Sequence, residues 1–152
     1  MSHSQQLAEP GANPLDGFLL ENHIGFWLRR VAQRHAHVFQ ETLAGHDLTS
    51  PQYAALSKTV ELGHVTQNLL GRMTAMDPAT IQGVVKRLTD RGLLARTSDP
   101  MDRRMSVLVP TQAGHDLIAA TVALARRSHE AVLAPLSENE QQQFIAMLRR
   151  MV

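Results

Sequence analysis

The chain of 152 residues contains no cysteine, which excludes a disulfide framework, a thiolate metal site and a thiol-based redox sensor. It has no apolar run near the ~20 residues that span a bilayer and no secretory signal at its start, so we expect a cytoplasmic protein. Its formal net charge is only +1, so overall charge does not indicate a polyanionic partner. Any argument for nucleic acid must therefore rest on local features.

The composition is that of a folded globular protein, with 43% apolar and 19% charged residues. A chain of this length fits a single compact domain. Residues 1–14 are polar and contain several small residues, proline and glycine, so we expect a flexible N-terminal arm there. Beyond the arm, apolar residues recur at helical spacing over residues 16–44, which predicts one long helix ending near Gly45.

Capping signals mark the starts of four later helices. A side-chain oxygen at the N-cap accepts a hydrogen bond from a free backbone N–H of the first turn, so serine, threonine and aspartate are favoured there. Where glutamate or glutamine follows three residues later, the two residues form a capping box. These signals lie at Thr49 with Gln52, at Thr66, at Thr111, and at Ser137 with Glu140.

Between the second and third of these signals lies a further helix followed by two short strands. Asp77 is an N-cap, Pro78 occupies the first helical position, and Gly92 ends the helix. Two strand-like runs, 93–97 and 105–109, are separated by a polar turn and predict a β-hairpin. The helix has apolar residues at i, i+3, i+4 and i+7, which predicts that Ile81, Val84, Val85 and Leu88 are buried.

A short helix, a tight turn, a second helix and a hairpin form the layout of a winged helix-turn-helix. In that motif the second helix enters the major groove of DNA. Its predicted exposed face carries residues that can bond to base edges and phosphates, namely Thr80, Gln82, Gly83, Lys86 and Arg87. The predicted fold is therefore mostly α, a winged helix-turn-helix with a two-stranded β wing and helical regions near both termini.

Positive charge is concentrated in the same segment. Six of the 15 basic residues fall within 19 positions, at Lys86, Arg87, Arg91, Arg96, Arg103 and Arg104. The alternative is an ordinary solvated helix face followed by a turn with its usual charges. We favour DNA binding because the capped helix, the glycine stop and the basic hairpin occur in this order.

From about Glu21 to the C-terminus the chain resembles the MarR (multiple antibiotic resistance regulator) family of winged-helix repressors. The motifs that carry the resemblance are LTSPQYAAL at 48–56, DPATIQGVVKRLTDRGLLAR at 77–96 and DPMDRRMSVLVPTQAG at 99–114. The resemblance implies that Asp102 steadies Arg104, which reaches into the minor groove, and that Arg103 assists at a phosphate. The usual Leu-Thr at the end of the wing is replaced by Val-Pro-Thr at 109–111. Together these arguments predict DNA contacts by Thr66, Gln67, Thr80, Gln82, Gly83, Lys86, Arg87, Asp102, Arg103 and Arg104.

The resemblance also implies a homodimer that places two recognition helices on a pseudo-palindromic DNA site. Residues 15–45 and 111–152 would form the dimerisation region, and residues 46–110 the DNA-binding lobe. The sequence agrees, because the helices near both termini carry more apolar surface than a small core needs.

Members of the family commonly release DNA when a small aromatic acid or another phenolic ligand binds between the dimer region and the DNA-binding lobe. A hydroxylated benzoate or nicotinate would suit an aromatic slot that offers a cation to its carboxylate. The alternative is that Trp27 and Tyr53 are core residues and Arg30 is a solvated charge. The candidate effector-binding residues are His23, Trp27, Arg30, Tyr53 and Met73.

Other classes of function have less support in the sequence. The eight histidines include no pair at helical metal-binding spacing, so we expect no metal site, although a zinc-responsive regulator of the same fold is an alternative. The chain has no glycine-rich phosphate loop and no nucleophile elbow, so we expect neither an enzyme nor a cofactor. A winged helix that binds protein rather than DNA is the remaining alternative.

Overall fold

A computed structural model of the protein describes residues 15–152, so the arm predicted for residues 1–14 lies outside the described residues. The chain divides into two compact units, of which the first ends at Gln33 and the second is Arg34–Val152. Helices and strands follow the predicted order. They are a 3-10 helix Leu20–Asn22, α1 Ile24–Thr42, α2 Ser50–Leu62, α3 Gln67–Met73, α4 Pro78–Asp90, β1 Leu94–Ser98, β2 Ser106–Pro110, α5 Gln112–Leu133 and α6 Glu138–Arg149.

The predicted mostly helical fold with a two-stranded wing is confirmed within the described residues. The five predicted N-caps are also present, and each cap oxygen accepts a hydrogen bond from the backbone N–H three residues later. Both predicted capping boxes, one on α2 and one on α6, are complete. None of the helices in residues 15–152 combines the length and apolar content needed to cross a membrane.

The start of α1 differs from the prediction of one helix over residues 16–44. Gly17 has a φ of +78°, a left-handed conformation that interrupts a right-handed helix. Leu19 and His23 are extended and bound a single 3-10 turn, so α1 begins only at Ile24. The apolar spacing of residues 16–23 is therefore not the spacing of an α-helix.

The hydrophobic core of Arg34–Val152 forms where α2, α4 and the two strands meet. The predicted buried face of α4 is confirmed, since Ile81, Val84, Val85 and Leu88 are all at most 2% exposed. They join Leu56 of α2 and Leu108 of β2 in one cluster. Burying such side chains contributes about 1.5–3 kcal/mol each, so the core fixes which face of α4 is left for solvent.

The two strands pair antiparallel, from Leu94 opposite Pro110 to Ser98 opposite Ser106. Each strand starts one residue later than predicted. The N–H of Leu93 still donates to the Leu88 carbonyl at the end of α4, and the N–H of Met105 donates to the Asp102 carbonyl in the turn. These two residues therefore belong to the elements before the strands.

The base of the wing is joined to the first turn of α5. The Leu93 carbonyl accepts a hydrogen bond from the backbone N–H of Thr111 at 3.1 Å. The Thr111 hydroxyl donates to the Gly92 carbonyl at 2.6 Å, with the Leu93 carbonyl as a longer second acceptor at 3.2 Å. The Thr111 oxygen in turn accepts the N–H of Gly114 at 3.1 Å. A side chain at Gly114 would overlap the Leu93 carbonyl oxygen, so only glycine fits here without movement of the backbone.

We expect Gly114→Ala to lower the free energy of unfolding by about 1–3 kcal/mol, because its Cβ overlaps backbone that cannot move aside. Thermal or urea unfolding measures this. Gly83→Ala on the open face of α4 is the matched control, since its nearest neighbour is the flexible end of Arg87 at 3.6 Å. This control should keep or raise stability because alanine is the better helix former by about 1 kcal/mol. Equal effects of the two changes would contradict the close approach.

Candidate nucleic-acid interface

The N-terminus of α4, the predicted recognition helix, is fixed by Asp77. Its Oδ1 accepts the N–H of Thr80 at 2.8 Å, and its Oδ2 accepts the Thr80 hydroxyl proton at 2.7 Å. These hydrogen bonds hold the pKa of Asp77 below its ordinary value because they favour the charged carboxylate. Thr80 therefore donates its hydroxyl proton to the cap, which leaves its methyl group and the oxygen lone pairs for DNA.

The face of α4 opposite the core carries the remaining predicted DNA-contacting residues of this helix. Gln82, Lys86 and Arg87 are exposed, and Gly83 is half-buried. The Lys86 Nζ lies 2.6 Å from Asp90 Oδ2, but both side chains are well exposed. Such surface ion pairs contribute about 0–1 kcal/mol, so Lys86 can exchange Asp90 for a phosphate at little cost.

Helix α3 meets α4 closely and is also tied to the wing. A Cβ at Gly71 would lie 3.2 Å from Ile81 of α4 and 3.2 Å from the Met76 carbonyl, so the two helices leave little space between them. Thr66 caps α3 through the N–H of Leu69. The neighbouring Gln67 accepts a hydrogen bond from Arg96 of β1, which orients both side chains.

The tip of the wing is built by two aspartates. Asp99 Oδ1 accepts the N–H groups of Met101 (2.7 Å) and Asp102 (3.3 Å). Asp102 Oδ1 accepts the N–H of Arg104 at 3.0 Å. The family resemblance implies that Asp102 steadies Arg104. The contact in this structure is with the backbone N–H of Arg104. Arg103 and Arg104 are both exposed.

One concave surface of the wing is strongly basic. A cavity of about 320 Å³ is lined by three arginines together with small polar residues and one methionine. A phosphate group suits such a surface, because arginine bonds to phosphate through two parallel N–H groups. The lining residues are Arg96, Thr97, Ser98, Arg103, Arg104, Met105 and Ser106.

The predicted effector-binding residues fall in both compact units. In residues 15–33, His23 stacks on Phe18 with ring centroids 4.2 Å apart, and the indole N–H of Trp27 donates to the Glu21 carbonyl at 2.6 Å. The guanidinium of Arg30 lies 5.7 Å from the centre of the Phe26 ring. Tyr53 and Met73 belong to residues 34–152. The five-residue site stays a prediction.

Tyr53 lines a cavity of about 380 Å³ whose other wall is α5. Its ring packs edge-on against Phe39, with centroids 5.5 Å apart. Burial raises the pKa of Tyr53, against the opposing effects of a hydrogen bond with Ser57 and the charge of Arg126. The phenol therefore stays protonated and can donate a hydrogen bond. Met73 lies apart from this cavity lining, exposed at the end of α3.

The α5 wall of this cavity was not among the predicted residues. It consists of Val122, Ala125, Arg126, His129 and Glu130. The first four have the spacing i, i+3, i+4 and i+7, which places them on one helix face. That spacing could have identified the face, but not the helix it packs against.

Histidine and acidic side chains do not cluster as metal ligands in the part of the chain that the structure describes. Among residues 15–152 no three of them come close enough together to hold an ion.

Known proteins resemble this chain over most of its length. A model of the MarR family matches residues 46–105. The HTH-type transcriptional repressor NicR of Pseudomonas putida is 34% identical over 145 residues, which are 94% of this chain and 92% of that protein. A probable transcriptional regulator from Pseudomonas aeruginosa superposes with a TM-score of 0.83 at 43% identity, over 88% of this chain and all of that one.

A second solved structure is BpsR of Bordetella bronchiseptica, whose DNA binding is regulated by 6-hydroxynicotinic acid. It superposes with a TM-score of 0.82 at 32% identity and covers 88% of this chain and 96% of its own. Similarity of this extent, over nearly the full length of the chains compared, establishes that the protein is a member of the MarR family of DNA-binding winged-helix transcriptional regulators.

Proposed function

We propose that the protein is a homodimeric repressor that a small aromatic acid, a hydroxylated benzoate or nicotinate, releases from a pseudo-palindromic operator. The observation that carries the effector part is the cavity between α2 and α5, which combines an aromatic hydroxyl, a guanidinium and an imidazole. Its volume of about 380 Å³ is within the usual range of small-molecule sites, roughly 300–1,000 Å³.

The chemistry of this cavity matches each part of such an effector. Arg126 offers a charged donor to a carboxylate, and Val122 with Ala125 offers an apolar wall to the ring. The neutral phenol of Tyr53 donates a hydrogen bond to a ring nitrogen or hydroxyl oxygen. The Glu130 carboxylate accepts a hydrogen bond from a ring hydroxyl, which favours hydroxylated acids over the unsubstituted ones.

The relatives support the same class of effector. BpsR, 32% identical, responds to 6-hydroxynicotinic acid, and NicR, 34% identical, is a repressor. The protein has one arrangement that binds DNA and another that does not. An effector releases DNA only if its affinity is higher for the second arrangement than for the first. We infer that the effector acts by holding α2 and α5 in the arrangement that does not fit the operator.

Operator recognition is assigned to α4 and the wing. Gln82 reads a base in the major groove, and Lys86 and Arg87 bond to phosphates on either side. Arg104 enters the minor groove, where a narrow groove concentrates negative potential. Thr66, Gln67 and Arg103 fix the position of the lobe on the phosphate backbone. Thr80 offers its methyl group for apolar contact with a thymine methyl.

An exposed apolar stripe supports the homodimer. Ile24, Trp27, Leu28 and Val31 have the spacing i, i+3, i+4 and i+7 on α1, and each is more than 40% exposed. A contiguous stripe of this kind usually marks a contact with another protein. A two-fold dimer would place two copies of α4 about one helical turn of DNA apart, roughly 34 Å.

The operator assignment predicts two different losses. Arg104→Ala should weaken binding across DNA sequences by about tenfold, because it removes a contact that depends mainly on groove shape. Gln82→Ala should instead relax the preference at one base position. Selection from a random duplex pool, followed by affinity measurements, checks both, with Arg127→Ala on α5 as a control for loss of one charge. Unchanged binding in both variants would refute the assignment.

The dimer predicts that Leu28→Glu yields a monomer, because a buried unpaired carboxylate would destabilise the interface by several kcal/mol. Light scattering on the purified protein measures the mass directly. Gln33→Glu is the matched control, since residue 33 lies on the opposite side of α1 from the stripe. A wild-type monomer, or a dimer that tolerates Leu28→Glu, would contradict this interface.

The effector assignment predicts a rise in melting temperature with 6-hydroxynicotinate or 4-hydroxybenzoate. At a hundredfold excess over Kd, binding to the folded state stabilises it by about 2.7 kcal/mol. Arg126→Ala should abolish the rise, whereas Arg127→Ala, the adjacent residue outside the cavity lining, should retain it. A rise in melting temperature with zinc alone would favour the metal-responsive alternative.

A shallow salt dependence of DNA binding would favour a protein-interaction module.

A further inference from the structure

Arg91, one of the basic residues in the predicted DNA-binding segment, is bonded to the backbone of a distant turn. Arg91 follows α4, and its N–H donates to the Arg87 carbonyl at 3.2 Å. Its Nη1 donates to the carbonyl of Asp47, and its Nη2 donates to the carbonyl of His46 at 3.3 Å. The side chain is only 31% exposed. Arg91 therefore joins the end of α4 to a turn more than forty residues earlier in the chain.

The acceptor of these bonds is the turn between α1 and α2. Gly45 and Asp47 have φ angles of +90° and +49°, so the turn contains two left-handed residues. Leu43 and Leu48 on either side of it are fully buried, which anchors both of its ends. Within residues 15–152, no other donor bonds to the carbonyls that Arg91 contacts.

Hydrogen bonds at this end of α4 add a directional restraint to its packing against the core. The apolar face fixes how deeply the helix sits, but hydrophobic contact is non-directional and restrains tilt less well. A helix of 13 residues is about 20 Å long, so a rotation of about 5° at its end moves the first turn by about 1.7 Å. A recognition residue must be held to within about 0.5 Å.

We propose that Arg91 is a positioning residue for operator recognition. Through the His46 and Asp47 carbonyls it holds the end of α4 against the α1–α2 turn, and so it sets the angle at which Gln82 meets the bases. This inference rests on the proposed role of α4 in reading the operator. In this proposal Arg91 does not contact DNA, although it is one of the six basic residues between positions 86 and 104.

The test compares two DNA affinities for each variant. The first duplex is the one that the wild-type protein enriches most from a random pool, and the second is a scrambled duplex of equal length. Arg91→Ala should weaken binding to the enriched duplex by about tenfold and leave binding to the scrambled duplex unchanged. Arg91→Lys should give an intermediate loss, because one ammonium group cannot span two carbonyls in the fixed geometry of a guanidinium.

The matched control is Asp47→Asn, which keeps the backbone carbonyl and suits a left-handed position but removes the carboxylate 3.9 Å from Arg91. It should bind both duplexes as the wild-type protein does. Circular dichroism checks that each variant is folded. If Arg91→Ala is unfolded, the two DNA affinities of Arg91→Lys decide the test.

Three results would overturn the inference. One is an equal loss for both duplexes with full restoration by lysine, which indicates a phosphate contact. Another is a loss in Asp47→Asn as large as in Arg91→Ala, which indicates an ion pair. The third is an unchanged ratio of affinities in Arg91→Ala. If the wild-type protein enriches no sequence at all, the proposed operator recognition fails together with this inference.

Discussion

The contact between the first turn of α5 and the Leu93 carbonyl is the constraint on which the arrangement of the wing depends. That carbonyl accepts the backbone N–H of Thr111, the Thr111 hydroxyl donates to the adjacent Gly92 carbonyl, and the absence of a side chain at Gly114 lets the backbones approach. The base of the wing is therefore joined directly to the start of α5. Arg126 lies 12 residues beyond Gly114 on the same helix, about 18 Å away. One helix thus carries both a wall of the candidate effector cavity and the attachment of the wing.

The helix starts were predictable because capping is a local interaction. A cap needs only the side chain of one residue and the N–H three positions later, so Thr49, Asp77 and Ser137 identify their helices without any knowledge of the fold. The start of α1 was not predictable from apolar spacing. The left-handed conformation of Gly17 depends on the path of the backbone, and a glycine in the sequence permits that path without requiring it.

The same division between local and distant contacts applies to the candidate sites. The exposed side of α4, to which DNA contacts are assigned, follows from the burial of the opposite side, which the apolar period of the helix reveals. The partnership of Tyr53 with Arg126 could not be predicted, because it depends on how α5 packs against α2. The direction of Arg91 has the same origin, since its acceptors lie in a distant turn. Charge counted along the sequence groups Arg91 with the predicted DNA-binding residues, whereas its hydrogen bonds connect it to the backbone of a distant turn.

The carboxylate at the start of α4 also limits how DNA can approach this helix. Helix N-termini usually attract phosphate because their N–H groups and dipole are positive. In this protein Asp77 already occupies that position with a full negative charge and bonds to the free N–H of Thr80. A phosphate arriving end-on would meet electrostatic repulsion. In the operator complex proposed above, the helix therefore lies along the groove and presents its flank, so that sequence discrimination depends on side chains rather than on the N–H groups of the helix tip.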